Sequence, residues 1–443
     1  MLRSARRVVI TGLGLVSPLG IGPEAYWAAL SEGRGAVNKL TAFPVENLPN
    51  DVGGEVPDFN PKTWPKKYSL PDPEHRKALT KSMKYMARDI QLAVAAAELA
   101  FADAGLAEGA IDPTRIGVDL GAGLISTELD ELAPAINHAS QNGGAFDYRI
   151  WGRESIGQIP PIWLLKYLPN MLACHISILL DCQGPSNTIT EAEAASNLAI
   201  GEASRIIARG RADLMITGGA DSKIHPLSLV RMSLLEQMSH WKGDPSGACR
   251  PFDTQRDGWV PGEGAGILVL EEREHALKRG ARIHGEILGF GSGCDATPGG
   301  GLDPDGIGTE IAINAALRDA GLGPSEIGHV NAHGAASKIS DLAEARAFQR
   351  IFGGATVPVT ALKGYMGNLV SGCGAVELIA SLIGVKQGKI PQTLNCDELD
   401  PACVVDLVRG AARDTNNPTF LNTNLTRHGQ AAALVVRGNS AAN

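Results

Sequence analysis

The sequence predicts an α/β fold. Short apolar, strand-like runs alternate with helix-like stretches from one end of the chain to the other, and the second half repeats the alternation of the first. The 443 residues, 44% hydrophobic and 20% charged, are enough to bury a large core and to make two domain-sized units.

The first strand falls at residues 7–11, where Val8, Val9, Ile10 and Thr11 are β-branched. A helical pattern covers residues 80–104, and strands follow at 116–120 and 214–217. Beyond them, residues 266–270 and 283–288 are strand-like, 308–320 helical and 329–331 a short strand. Helices at 341–348 and 374–385 and strands near Phe420 and Leu434 complete the series. Residues 41–72, rich in proline and polar side chains, are the least regular stretch and are expected to be a surface excursion. Two such series suggest a duplicated architecture, divided into residues 1–250 and 251–443, although no residue-level repeat proves it.

The formal net charge is −8, with 40 Lys and Arg against 48 Asp and Glu, and the basic residues form no block. Nucleic acid and anionic membrane are therefore not expected as partners. Seven cysteines, Cys174, Cys182, Cys249, Cys294, Cys373, Cys396 and Cys403, are odd in number, irregularly spaced and free of CxxC pairs. They suit reduced thiols better than a disulfide framework or a zinc site, and neither a metal nor a cofactor is expected. The basic N-terminus runs into a strand-like stretch without the apolar core of a secretion signal, and no segment is apolar for long enough to span a bilayer. A cytoplasmic chain is the expectation.

The motifs carry more. RVVITGLG from Arg7 and VSPLG from Val16 are followed by Asn170 and Met171, HISI from His175 and GPS from Gly184. RPFD from Arg250, RDG from Arg256 and GEGA from Gly262 come next. NAHG from Asn331 follows with Asp341 and Glu344, then Lys363 and Gly367. In this order and spacing the chain resembles the β-ketoacyl-acyl-carrier-protein synthases over nearly its whole length. The resemblance implies the thiolase-like fold, two similar α/β halves forming five alternating layers, which dimerises through a strand near the nucleophile.

In that family a cysteine on a tight turn at the start of a buried helix accepts the acyl chain, its thiolate favoured by the helix dipole. The matching turn is TEAEAAS from Thr190 to Ser196, and the nucleophile's place falls on Glu193. No cysteine lies nearby to replace it, and Cys182 is expected to be a small core residue. A carboxylate suits a helix N-terminus, but its acyl derivative would be a high-energy mixed anhydride, so self-acylation should be lost. The family's first histidine is retained as His333, and Asn368 stands in place of the second. Asparagine donates a hydrogen bond but supplies neither a proton nor a positive charge.

Lys363 and Glu344 match the family's lysine and acid, and a buried pairing between lysine and glutamate would hold the loops. The family's glycine-rich gating loop corresponds to residues 422–430, with most glycines gone and with Asn424 and Thr426 at the acyl-tunnel gate. His428, in the same stretch, is expected to be exposed or bonded to backbone. Ala335, Ala336 and Ser337 stand where the resemblance implies the threonines of the family's His-Gly-Thr loop.

With nucleophile, second histidine and gate all altered on a kept scaffold, the chain resembles chain-length-factor subunits, which pair with an active ketosynthase. The resemblance implies a heterodimer, with residues 183–195 against the equivalent strand of the active subunit and helical residues 120–132 setting tunnel depth. An acyl carrier protein with a phosphopantetheine-linked chain is the implied second partner. Lys81, Lys84 and Arg88 are either its docking patch or the solvated face of their helix. Two other readings stay open: a malonyl-carrier decarboxylase relying on His333, and an acyl-thioester hydrolase with Glu193 as base.

Overall fold

The structure, a computed structural model, describes residues 6–439 apart from 69, 108, 110, 141–142, 236–237 and 354–356. Most of the basic N-terminal stretch, residues 1–5, lies outside the described residues. Eleven strands carry the argument. They are β1 (Val8–Ser17), β2 (Ile116–Ala122), β3 (Ser186–Ile189), β4 (Leu214–Ser222), β5 (Glu263–Glu272), β6 (Gly285–Cys294), β7 (His329–Asn331), β8 (Pro358–Thr360), β9 (Asp406–Leu407), β10 (Thr419–Leu425) and β11 (Gln430–Gly438).

With a short mate, Gly20–Ile21, hydrogen-bonded to β1, they make one twelve-stranded path in the order β9-β8-β7-β10-β11-β6-β1-β5-β4-β2-β3. The two halves of the path join where Val8, Val9 and Ile10 pair with Ile287, Glu286 and Gly285. On one side β3-β2-β4 are parallel and β4-β5-β1 antiparallel. On the other, β8-β7-β10 are parallel and β10-β11-β6 antiparallel. With the two-residue edge strand β9 set aside, the five strands of each half run 3-2-4-5-1, so the duplication is one of topology. β5 completes the first sheet, which carries the first half past residue 250.

Six helices build the remaining layers: α1 (Arg88–Asp103), α2 (Met171–Leu179), α3 (Ala195–Ala208), α4 (Ile307–Ala320), α5 (Lys338–Phe352) and α6 (Cys373–Lys386). α1 and α2 cover the outer face of the first sheet, and α4 packs on the second with α5 against it. Between the sheets lie α3 and α6, which completes the five layers of the thiolase-like fold. α6 buries 12 of its 14 residues, as a helix that is apolar all round must. Glycines let the strands come close: a Cβ on Gly121 would lie 2.5 Å from the Ser196 nitrogen of α3, and one on Gly266 2.7 Å from the Val376 nitrogen of α6.

Three expectations change. The helical pattern at 80–104 is two helices, Pro73–Ser82 and α1, because Met86 is extended (φ −110°, ψ 124°) and buries its side chain in the first-half core. Residues 41–72 are not merely a surface excursion: Val56, Phe59 and Trp64 sit in the same core. Residues 120–132 are not a helix; β2 runs to Ala122, and a helix begins only at Leu129–Ala139.

Candidate active site

Both central helices start at the same place. A short turn, Ala192–Ala194, leads into α3, and another, Val370–Gly372, leads into α6. Each turn opens on a non-glycine residue in the left-handed region, Ala192 at φ 41° and Val370 at φ 45°. The duplicated fold thus brings Glu193 from one half against Asn368 from the other. Asn368 Nδ2 donates to Glu193 Oε1 at 3.1 Å, and both residues are buried. Burial pushes the Glu193 carboxyl above its ordinary value, against the opposing pull of backbone N–H, Asn368 and Lys363.

The Asn368 amide is held from its other end. Its Oδ1 accepts from Val370 N at 2.9 Å and from the Cys373 thiol at 3.0 Å, which leaves Nδ2 facing Glu193. Cys373 is, with Glu377, a residue whose place in the site sequence reasoning missed. It is 180 positions from Glu193 in the chain, and only the pairing of the two helix starts reveals it. Burial raises its thiol pKa well above the ordinary range, so it is a hydrogen-bond donor here and not a thiolate.

Behind this contact runs a continuous polar chain. Lys363 Nζ, fully buried, donates to Glu377 Oε1 at 2.7 Å and to the His333 carbonyl at 2.6 Å, and lies 3.2 Å from His333 Nδ1. An ammonium can only donate, so His333 Nδ1 accepts and its ring proton sits on Nε2. Burial, reinforced by the Lys363 charge, drives the His333 pKa far down and keeps the ring neutral. Burial also works against the Lys363 ammonium, but Cys373, Glu377 and Glu344 around it together outweigh that and the pKa stays above the ordinary lysine value. Glu377 Oε2 accepts from Asn424 Nδ2 at 2.8 Å, Asn424 Oδ1 accepts from Asn197 Nδ2 at 2.8 Å, and Asn197 Oδ1 accepts from Asn422 Nδ2 at 3.0 Å.

The partner of Lys363 is therefore Glu377 and not Glu344. Glu344 instead accepts the backbone N–H groups of His333 (2.8 Å) and Gly334 (3.0 Å) and the Thr423 hydroxyl (2.8 Å), so it sets the loop that carries His333. Burial lifts its pKa to about 7. The 422–430 stretch is a tight hairpin: Asn424 lies in β10, and Thr426 N donates to the Gln430 carbonyl at 2.8 Å to close the turn. From within the turn, Arg427 donates to the Leu235 carbonyl at 2.7 Å, and His428 Nδ1 bonds the Gly300 carbonyl at 2.7 Å.

Other motif residues hold the frame. Phe252 N donates to Asp341 at 2.8 Å, and Arg256 reaches both Asp341 (3.5 Å) and Asp400 (2.8 Å). Arg88 belongs to the frame: it grips Glu263 through two nitrogens at 3.0 and 2.7 Å and donates to the Phe59 and Val56 carbonyls. Beside the site, Lys223 pairs with Asp221 in a fully enclosed position that Gly123 permits, because a Cβ there would overlap the Asp221 carboxylate.

A family model for the N-terminal domain of β-ketoacyl synthase matches residues 5–276, and one for its C-terminal domain matches residues 284–397. The two models divide where the topology does, after β5. A 3-oxoacyl-[acyl-carrier-protein] synthase 2 of Synechocystis sp. is 35% identical over 410 residues, 92% of each chain. Among solved structures, the ishigamide ketosynthase/chain length factor aligns with a TM-score of 0.84 at 31% identity, covering 98% of this chain and 100% of that one. The AntDE:AntF complex, a type II PKS acyl-carrier protein with its ketosynthase bound to the hexaketide, aligns at 0.80 and 26% identity over the same shares. With the duplicated 3-2-4-5-1 sheets, the paired helix starts and both domain models in agreement, the chain belongs to the β-ketoacyl synthase family.

Proposed function

We propose that this chain serves acyl-chain elongation as the non-acylating, chain-length-factor-like subunit of a heterodimer with an active ketosynthase. The observation that carries the reading is Glu193 at the start of α3 with its Oε1 taken up by Asn368. A carboxyl there offers no thioester chemistry, and the residue opposite is an amide already engaged by Cys373 and Val370. The polar chain from Lys363 to Asn424 reinforces this, because Lys363, Glu377, Asn424 and Asn197 are engaged with one another. That relatives at about this similarity are named as synthases, and one as a ketosynthase/chain length factor, agrees with a role in elongation.

The subunit interface in this reading centres on β3, the edge strand of the path, whose Ser186 and Asn187 are exposed. The helix α2 lies against it and leaves the apolar Ile178 76% exposed. The acyl carrier docks on the Trp64–Tyr68 and Pro73–Ser82 helices and the turn after them, where Lys62, Lys66, Lys67, Lys77, Lys81 and Lys84 are exposed on a chain of net charge −8. Co-expression with ketosynthases encoded beside it, followed by native mass analysis of the complex and its products, tests the assignment. A one-to-one complex whose elongation survives Glu193→Ala supports it; a homodimer that condenses acyl- and malonyl-carrier unaided overturns it.

A malonyl-carrier decarboxylase is the second reading. Two observations favour it: His333 has its proton on Nε2, available to an enolate oxygen, and burial favours an uncharged Glu193 that would not repel a malonyl carboxylate. Carbon dioxide release by the pure chain, abolished in His333→Ala, would select this reading over the first.

A further inference from the structure

A crevice of about 750 Å³ opens outside the C-terminal ends of the parallel strands β2 and β4, the place where open α/β sheets collect ligands. Its walls come from residues 41–59, the start of α1, the segments that follow β2 and β4, and Glu263 at the head of β5. The charge on these walls is one-sided: five carboxylates, Glu55, Asp89, Glu128, Asp130 and Glu263, face the single guanidinium of Arg88. Arg88 is committed to Glu263 and to the Phe59 and Val56 carbonyls. His225 Nδ1 accepts from Leu227 N at 3.2 Å, which leaves its ring proton on Nε2, 3.7 Å from Glu128. Glu55 accepts from Thr41 and from the Ala42 N–H, all neutral donors, and the exposed Asp130 forms no ion pair among the described residues. Asp89 is only 4% exposed. Its Oδ1 accepts from Ser222 N at 3.0 Å, and its other oxygen has no hydrogen-bond partner among the described residues. Burial and the Asp221 charge work against ionisation of Asp89, and Lys223, the one cation whose field reaches it, is already paired with Asp221. An enclosed carboxyl oxygen on a cavity wall without a donor is a place for a ligand's N–H.

We propose that this crevice binds a small organic amine, its ammonium at Asp89 in the field of Glu55 and Asp130 and its apolar body against Phe43, Leu129 and Ile224. An ammonium brings the donors that Asp89 lacks and the charge that the lining leaves unbalanced. A metal ion does not fit: among the described residues no three His, Cys, Asp or Glu side chains gather closely enough to hold one, so the carboxylates supply a field and not a coordination shell. The apolar walls select an amine on an aromatic or alkyl body over a hydrated ion.

Isothermal titration of the whole chain with 2-phenylethylamine, beside the neutral 2-phenylethanol and the anionic 3-phenylpropanoate, tests this. One saturable site for the amine is expected, with the alcohol and the carboxylate at least about tenfold weaker. Asp89→Asn, which keeps the shape of the side chain and an acceptor for Ser222 N, should weaken the amine at least about tenfold. Asp130→Asn, a surface change that leaves folding intact, should weaken it about two- to fivefold, and Glu24→Gln, on the Pro23–Glu32 helix and off the crevice, should leave it unchanged. Equal affinity for the amine and the alcohol, equal binding by the parent and the Asp130→Asn chain, displacement of the amine by stoichiometric calcium chloride, or no saturable binding below about 5 mM overturns the proposal.

Discussion

Glu193 and Asn368 meet through a single hydrogen bond, and what surrounds that bond decides what each substitution does. Glu193→Cys returns a thiol to the start of α3, and the variant should be alkylated at that position by iodoacetamide, read by intact mass. Condensation should not return with it, because Asn368 still offers an amide where a histidine would assist; the double variant with Asn368→His is the one expected to gain measurable turnover. Cys373 should remain unlabelled in every folded variant, since burial keeps its proton on. Asp119 supplies the pH dependence. It is buried on β2, neither carboxylate oxygen has a hydrogen-bond partner among the described residues, and burial, with a smaller push from Glu202, raises its pKa from 3.8 to about 7. Between those values the folded chain holds a proton that the unfolded chain has released. The associated stability is therefore fully present below about pH 4 and is lost as pH rises through about 7. Asp119→Asn should flatten that fall and stabilise the chain by roughly 2 kcal/mol at pH 8, measured by urea unfolding; Asp89 and Glu344, each at about 7, leave part of the slope in place. At this scale the sequence was informative about which residues stand at the turn and uninformative about their partners. His333, Lys363 and Asn368 come together from motif order, but Glu377 and Cys373 lie on α6 at ordinary core spacing, and nothing in their own segment marks them as polar partners.

Elements explain why the 422–430 stretch is a hairpin and not a flexible loop. Gly429 has φ 85°, and a Cβ on it would lie 2.6 Å from the Asp295 side chain, so Gly429→Ala should cost about 1–2 kcal/mol. Asn424→Ala should cost more, about 2–3 kcal/mol, because it strands Glu377 Oε2 and the Asn197 amide in a dry interior. Both losses should appear as lower urea midpoints at unchanged slope. The strands and the late helices were legible because their apolar periods are long and clean. The break at Met86 was not: Met83, Met86 and Ala87 are all apolar and buried, and such a pattern continues through a change of backbone direction without a mark.

Across the whole molecule, the topology settles what periodicity left open. Alternating strands and helices gave α/β, whereas the repeat is written in hydrogen-bond order, 3-2-4-5-1 twice, and in two left-handed turns with different residues, Ala192 and Val370. No shared residues were needed to build it, so none marked it. If the subunit assembles through β3 and the apolar surface beside it, Ile178→Glu should leave the unfolding midpoint within about 0.5 kcal/mol of the parent, because the side chain is 76% exposed, yet should abolish the complex in size-exclusion and native mass measurements. The Asn368 amide, finally, couples the residues on both sides of it. One side chain serves Glu193 at one end and Cys373 at the other, while Lys363, Glu377 and Asn424 close ranks behind it. Substituting any one of them leaves its neighbours without their partners, so the effects of single substitutions in this set will not sum, and a change of chemistry at the turn has to be made in several positions at once.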